Sequence, residues 1–165
     1  MKTSIDSGPV HYFNTLIKWK LVIMMMAIAG LTFYQVIMRY VFSSASSWSE
    51  ELIRFIFIWC SFIAAAIGVR EGIHIGINVF VNLLPKKVVP LTEILVNLAI
   101  LIFAGYMVYY GWQTTLQANG QPSPALGIPM SWVYLSIPVM GAMTVFYCAL
   151  EIGNAWKRFA ALRSD

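Results

Sequence analysis

The sequence predicts an all-α integral membrane protein. Four transmembrane helices are expected, with an amphipathic interfacial helix between the second and third and a short helical turn near the N-terminus. Hydrophobic residues make up 59% of the 165 residues and charged residues only 11%, and mean hydropathy is +0.73. A soluble domain carries about 25% charged residues. The chain therefore has too few charges to cover a water-facing surface of its size, and its length allows one domain.

The first transmembrane helix is predicted over residues 21–42. Residues 21–38 carry no charge, and about 20 such residues cross the hydrocarbon core as a helix. The apolar run begins near Trp19, too late for a secretory signal, so we expect a retained N-terminal tail. The boundaries that follow are a tail over 1–18, a membrane domain over 19–157 and a second tail over 158–165.

The other spans are separated by segments rich in turn-forming residues. Residues 94–150 carry no charge, and this stretch is too long for one helix. Its break lies at 119–124, which reads Asn-Gly-Gln-Pro-Ser-Pro, because such residues punctuate a chain into turns. The remaining spans are predicted over 51–69, 88–112 and 131–151.

The segment between the second and third spans is polar along one side. It is too short to cross a membrane, so we predict an interfacial amphipathic helix over 71–84. An alternating strand also fits its apolar residues, but an unpaired strand edge at a membrane leaves backbone groups unsatisfied. The polar stripe consists of Arg70, Glu71, His74, Asn78 and Asn82.

The distribution of positive charge predicts the orientation. With four spans, nine of the 11 Lys and Arg residues fall on one side, and only Arg39 and Arg54 fall on the other. The positive-inside rule then places both termini in the cytoplasm. The nine residues are Lys2, Lys18, Lys20, Arg70, Lys86, Lys87, Lys157, Arg158 and Arg163.

Four charged residues flank the connection between the first two spans. Arg54 follows Glu50 by four residues and Glu51 by three, so either carboxylate can meet it on one helix face. Together with Arg39 these residues form either an ion site or a structural charge network and partner interface. We favour the network, because the charges cancel and lie near the membrane edge.

Three further features each allow a structural and a functional interpretation. Arg70, Glu71 and His74 either bind a lipid phosphate or a partner helix end, or form a satisfied interfacial cluster. The loop over 117–130 is either a docking surface for an extracytoplasmic partner or a plain turn. Most Trp and Tyr residues lie at predicted span ends, as in an interfacial aromatic belt, whereas Trp59 is deep and is expected to pack against protein.

The sequence is inconsistent with several functional classes. Its two histidines are His11 and His74, too few for a haem held by two intramembrane His residues or for a catalytic set. Cys60 and Cys148 lie in apolar segments and are interpreted as packing residues. The basic residues form no stripe for nucleic acid. We therefore expect no enzyme activity, no metal site and no cofactor in this chain.

Several short motifs resemble those of DctQ-type small membrane subunits of TRAP transporters, in the same order and spacing. The match covers about residues 16–155, and the last-span signature includes Trp132, Tyr134, Pro138 and Gly141. The motifs are Arg39–Phe42, Trp48–Arg54, Arg70–Ile75, Pro129–Tyr134 and Ile137–Pro138.

The resemblance implies a tripartite importer in the bacterial inner membrane. A periplasmic protein captures an organic acid, and a large membrane subunit, here a separate chain, carries it inward with sodium. The small subunit braces the large one and helps to dock the binding protein. The substrates implied are sialic acids, as in the SiaQ branch, or C4-dicarboxylates. The implied partners are the large subunit, the binding protein and membrane lipids.

Two other functional classes fit the chain less well. A small four-helix proton-coupled exporter acting as a homodimer needs a membrane-embedded carboxylate, and residues 21–38 contain none. A membrane anchor of an oxidoreductase needs haem ligands that the sequence lacks. Both classes are less consistent with the chain than a scaffold subunit.

Overall fold

The computed structural model describes residues 9–70 and 89–164, and these residues form helices joined by short connections. The predicted interfacial helix over 71–84 lies outside the described residues. The helices are α1 (Pro9–Tyr40), α2 (Ser47–Arg70), α3 (Val89–Gln117), α4 (Ser131–Tyr134) and α5 (Ser136–Ser164), with a 3₁₀ turn at Ala118–Gly120.

The predicted fold class is confirmed: the chain is an all-α membrane protein. Four helical segments are long and apolar enough to cross a membrane, and each exceeds the roughly 20 residues that a hydrocarbon core requires. These segments are Asn14–Tyr40, Ser47–Arg70, Ile94–Gly120 and Ser131–Gly153.

Helix α1 begins well before the predicted first span. The interfacial turn expected around Tyr12 and Leu16 forms the first turns of α1 itself, and the helix continues through Lys18 and Lys20. The prediction followed the uncharged stretch, but a helix satisfies its backbone hydrogen bonds internally whatever its side chains are. Charge therefore limits where the membrane starts and not where the helix starts.

The four long helices lie in a row and do not close into a bundle. Helix α1 packs against α2, α2 against α5, and α5 against α3. Within the described residues, α1 and α3 do not contact each other and form the two edges of the row. The most apolar stretch of α1 buries none of its residues inside the protein, whereas the corresponding stretch of the α4–α5 span buries the largest share. The α5 helix is thus the centre of the packing.

Glycines allow α3 and α5 to approach closely. A Cβ atom on Gly141 would lie 2.9 Å from Val108 Cγ2 and 3.0 Å from the carbonyl oxygen of Ala104. A Cβ atom on Gly111 would lie 2.8 Å from Ile137 Cγ2 and 3.0 Å from Pro138 Cδ. Small residues bring helix backbones together in membranes, where no hydrophobic effect holds helices to each other.

Pro138 interrupts the last span. The residue has no backbone N–H, and its ring would clash with the carbonyl of Tyr134 four positions earlier in a regular helix. The chain accordingly leaves the α-helical pattern at Leu135, which separates α4 from α5. Helical bonding resumes at once, since the Val139 amide donates to the Leu135 carbonyl at 3.3 Å. The break orients α4 and the loop before it.

Candidate docking surface at the loop end

A buried carboxylate organises one end of the helix row. We call this end, which carries the 41–46 and 118–130 connections, the loop end. Glu51 lies in the N-terminal part of α2 and is 7% exposed. Its Oε2 atom accepts hydrogen bonds from the backbone N–H groups of Ala125 and Leu126, both at 2.8 Å. Hydrogen bonds to an ionised acceptor are roughly twice as strong as neutral ones, so Glu51 ties the loop to α2.

The loop is held by its own backbone as well. The Ser123 amide donates to the Ile128 carbonyl at 2.9 Å, and the Met130 amide donates to the Gln121 carbonyl at 2.9 Å. Gly127 has φ +67°, a left-handed conformation that glycine adopts at little cost. Residues 123–128, here called the loop tip, are therefore a defined structure joined to α2.

The neighbouring carboxylate faces outward. Of the two pairings that the spacing allows with Arg54, the structure forms the one with Glu50, at 3.5 Å, and both side chains are more than 60% exposed. Glu51 turns to the loop tip instead. Arg39 lies across the helix connection, in a small cleft that it shares with Gln35, Ala45, Ser46, Ser47 and Glu50. Glu50 and Arg54 thus pair with each other, Glu51 holds the loop tip, and Arg39 lines the cleft beside Glu50.

Trp59 connects the middle of α2 to the start of the last span. Its Nε1 donates to the backbone carbonyl of Trp132 at 3.0 Å. The Trp132 side chain itself is exposed. Of the other last-span signature residues, Tyr134 ends α4, Pro138 causes the break and Gly141 contacts α3. Pro138 and Gly141 of the signature therefore fix helix geometry.

A second polar contact lies at the opposite end of the row, here called the terminal end. Tyr147 donates from its hydroxyl to Asn14 Oδ1 at 2.7 Å, and these two residues are only 2% and 4% exposed. The Arg70 guanidinium lies 5.8 Å from the Tyr147 ring centroid, within cation–π range. Helices α1, α2 and α5 are thus joined at one point.

We expect Tyr147→Phe to lower the stability of the isolated chain by about 1 kcal/mol, since a buried hydrogen bond between membrane helices has about that value. The substitution removes only the hydroxyl and leaves the Asn14 amide oxygen without its tyrosine donor. The measurement is the thermal midpoint of the purified chain in detergent. Tyr12→Phe is the matched control, because Tyr12 lies on α1 and is exposed. Equal midpoints for both variants would mean that the Asn14 contact adds nothing.

Of the predicted polar stripe, only Arg70 is among the described residues, where it ends α2. Glu71, His74, Asn78 and Asn82 lie outside the described residues.

Sequence reasoning does not find the two polar contacts that join residues far apart in the chain. Asn14 was assigned to a tail and Tyr147 to an apolar span, and no local spacing links residues so far apart in sequence. The N–H groups that bind Glu51 belong to the backbone and leave no mark in a side-chain pattern.

The polar contacts of Glu51, Trp59 and Tyr147 are structural. No cluster of three His, Cys, Asp or Glu side chains within this part of the chain could hold a metal ion. The buried carboxylate is occupied by two amides. The arrangement fixes the loop tip at one end of the helix row.

Three relatives illustrate what the chain is similar to. It is 28% identical over 137 residues to the sialic acid TRAP transporter permease protein SiaT of Haemophilus influenzae. The aligned region is 83% of this chain but only 22% of SiaT. It is 29% identical to the small permease protein SiaQ of Vibrio cholerae, over 86% of this chain and 82% of SiaQ. It is 36% identical to the C4-dicarboxylate small permease protein DctQ of Rhodobacter capsulatus, over 70% of this chain and 51% of that protein.

Residues 28–158 match the model of a single family. This range runs from the first span to the end of the last and includes Glu51, the loop tip, Pro138 and Gly141. The match and the four-helix fold together settle the family. The chain belongs to the DctQ component family of tripartite ATP-independent periplasmic transporters.

Proposed function

We propose that this protein is the small membrane subunit of a sodium-coupled TRAP importer of organic acids, in which it braces a separate large transport subunit. The family match over residues 28–158 carries the proposal. The open row of helices supports it, because a row has two faces and two edges to offer a partner, whereas a closed four-helix bundle buries its inner surfaces. Sodium coupling and substrate passage would belong to the large subunit.

The similarity to SiaT supports a large membrane partner. This chain corresponds to only 22% of SiaT, so a similar segment forms part of a much longer permease protein there. A small subunit expressed as a separate chain then needs a non-covalent interface with the same kind of partner. We propose that the large subunit occupies that interface.

We propose that the loop end faces the periplasm and that both termini lie in the cytoplasm of a bacterial inner membrane. The excess of Lys and Arg at the terminal end supports this orientation. The loop tip would then present Leu126 and Ile128 to the periplasmic binding protein. A loop fixed by Glu51 loses little conformational entropy on binding, which favours docking.

The proposed substrates are those named for the relatives, sialic acid or C4-dicarboxylates. We infer no preference from the residues of this chain.

Reconstitution tests whether the large subunit carries out transport while this chain supports it. The chain is co-expressed with the large and binding subunits from the same genome, and sodium-driven uptake of radiolabelled substrate is measured in liposomes. We expect uptake from the full system and none from this chain alone. Uptake by this chain alone would refute the scaffold role, and proton-driven export by it would favour the small exporter.

We expect Arg54→Ala to weaken the complex more than the subunit. Exposed ion pairs contribute about 0–1 kcal/mol, so the isolated chain should keep its thermal midpoint. If a partner covers the pair, Glu50 is left without its arginine in a low dielectric, which is costly. The measurement is recovery of the large subunit on the tagged variant. Lys20→Ala, an exposed change near the terminal end, is the control, and equal recovery from both variants would remove this pair from the interface.

A further inference from the structure

The outer edge of α3 carries an exposed stripe with the spacing of a helix-packing seam. Its members recur at alternating intervals of three and four residues, the periodicity with which one helix packs along another. All are exposed in this structure. We call this stripe the tyrosine face, and it consists of Ala99, Ile102, Tyr106, Tyr109, Gln113 and Leu116.

The opposite side of α3 is already used. Ala104 and Gly111 are buried and lie against Gly141 and Pro138 of the last span. The tyrosine face points away from these contacts, so no other described helix of this chain covers it.

Tyr106 lies so deep along the span that lipid could not offer its hydroxyl a hydrogen-bond partner. At 1.5 Å per residue, Tyr106 lies about 18 Å along the helix from Ile94 and about 9 Å from Trp112. Side chains on a helix tilt toward its N-terminus, which carries this hydroxyl still farther from the Trp112 level. Tyr106 is 59% exposed, and within the described chain no hydrogen bond reaches its hydroxyl. A hydroxyl without a partner in hydrocarbon is unfavourable.

Neighbouring residues give the tyrosine face a fixed shape. The Tyr106 and Tyr110 rings stack at 6.0 Å, and the Tyr109 ring meets Tyr110 edge-on at 5.1 Å. Beside them, a Cβ atom on Gly105 would have nothing within 4 Å, which leaves an open notch. Rigid aromatics next to a notch can receive a side chain from a second helix with little loss of conformational freedom.

The other edge of the row differs in chemistry. The exposed side chains in the middle of α1 include Ile23, Met26 and Phe33, which lipid solvates well. The Thr32 hydroxyl donates to the Ile28 carbonyl of its own helix at 2.7 Å. The Tyr34 ring lies 5.9 Å from the Trp48 ring of α2, so this tyrosine lies on the side of α1 next to α2. The outer side of α1 is therefore largely apolar, and the two edges suit different neighbours.

We infer that the tyrosine face is the surface on which a transmembrane helix of the large permease subunit packs, with a polar group of that helix bonded to the Tyr106 hydroxyl. The inference rests on the proposed function, which supplies the partner. A single helix at this edge extends the row α1–α2–α5–α3 by one element and covers both the hydroxyl and the notch. The α1 edge stays in contact with lipid.

Paired glycine substitutions test the surface. Gly105→Leu fills the notch, and Gly30→Leu makes the same change at an equally open site on α1. Tagged variants are co-expressed with the large subunit and purified in mild detergent. We expect Gly105→Leu to lower recovery of the large subunit at least about tenfold, because overpacking an interface costs affinity of that order. Gly30→Leu should match the unmodified chain, and both variants should keep its thermal midpoint.

Photocrosslinking identifies the occupant. With p-benzoylphenylalanine in place of Tyr106, we expect a covalent adduct with the large subunit, and none with the probe in place of Phe33. Tyr106→Phe should reduce recovery and keep the ring contacts. An adduct with a second copy of this chain, or crosslinking only to lipid, would overturn the inference. If the unmodified chain recovers no large subunit, the proposed function fails; if it does and Gly105→Leu recovers as much, only the tyrosine face fails.

Discussion

Replacing Glu51 with alanine is expected to release the loop tip from α2. Two hydrogen bonds to a buried carboxylate disappear together, and each contributes about 1.5–3 kcal/mol. Taking about 3 kcal/mol for the pair, the Ala125 and Leu126 amides should exchange about 100-fold faster with solvent deuterium. The measurement is hydrogen exchange by mass spectrometry on peptides covering 121–130, in nanodiscs.

Two further variants show whether the charge of Glu51 strengthens its hydrogen bonds to the loop, and whether the neighbouring carboxylate in α2 contributes to holding the loop. Glu51→Gln keeps a carbonyl acceptor at the same place, and neutral bonds are roughly half as strong, so its exchange should lie between those of the alanine variant and the unmodified chain. Glu50→Ala removes the adjacent carboxylate, which contacts Arg54 and not the loop. Accelerated exchange in Glu50→Ala equal to that in Glu51→Ala would mean that the loop is not held by Glu51.

The fold class followed from the sequence because bilayer thickness is a strong constraint. Uncharged runs of about 20 residues have few alternatives to spanning, and the turn at 119–124 divided the longest of them. Helix ends were less predictable. Helix α1 starts at Pro9, because backbone bonding continues past Lys18 and Lys20, while the prediction relied on charge.

The candidate surface was only partly predictable, for a different physical reason. Periodicity reports which residues share a face of one helix, so the Glu50–Arg54 pair could be anticipated. It does not report which helices meet. The Asn14–Tyr147 contact joins the two ends of the chain, and the Glu51 contact joins a side chain to backbone amides far along the sequence. Both depend on tertiary packing.

The row of helices itself was not anticipated, because hydropathy counts spans and leaves their arrangement open. The small residues of the last two spans indicate part of this helix arrangement. Gly111 and Gly141 mark where α3 and α5 touch, while Gly30, Gly105 and Gly153 have open space beside them. Sequence alone cannot sort these two groups of glycines.

The second large effect is expected for Gly141→Ala, because Gly141 lies in close contact with another helix. The added Cβ atom would lie 3.0 Å from the Ala104 carbonyl oxygen and 3.1 Å from the Val108 backbone nitrogen. Backbone atoms cannot swing aside as a side-chain end can, so α3 and α5 must separate. Overpacking of this kind costs about 1–3 kcal/mol, and the thermal midpoint of the purified chain should fall by several degrees.

Gly153→Ala is the matched control, since it lies on the same helix with nothing within 4 Å of the new atom. Alanine favours helix over glycine by up to about 1 kcal/mol, so this variant should be unchanged or slightly more stable. Gly111→Ala should also lower the thermal midpoint, because its new atom would lie 2.8 Å from Ile137 Cγ2 and 3.1 Å from the Pro138 backbone nitrogen. If Gly141→Ala were as stable as Gly153→Ala, the close approach of α3 and α5 would not be what holds the edge helix in the row, and the tyrosine face would lose its fixed position as well.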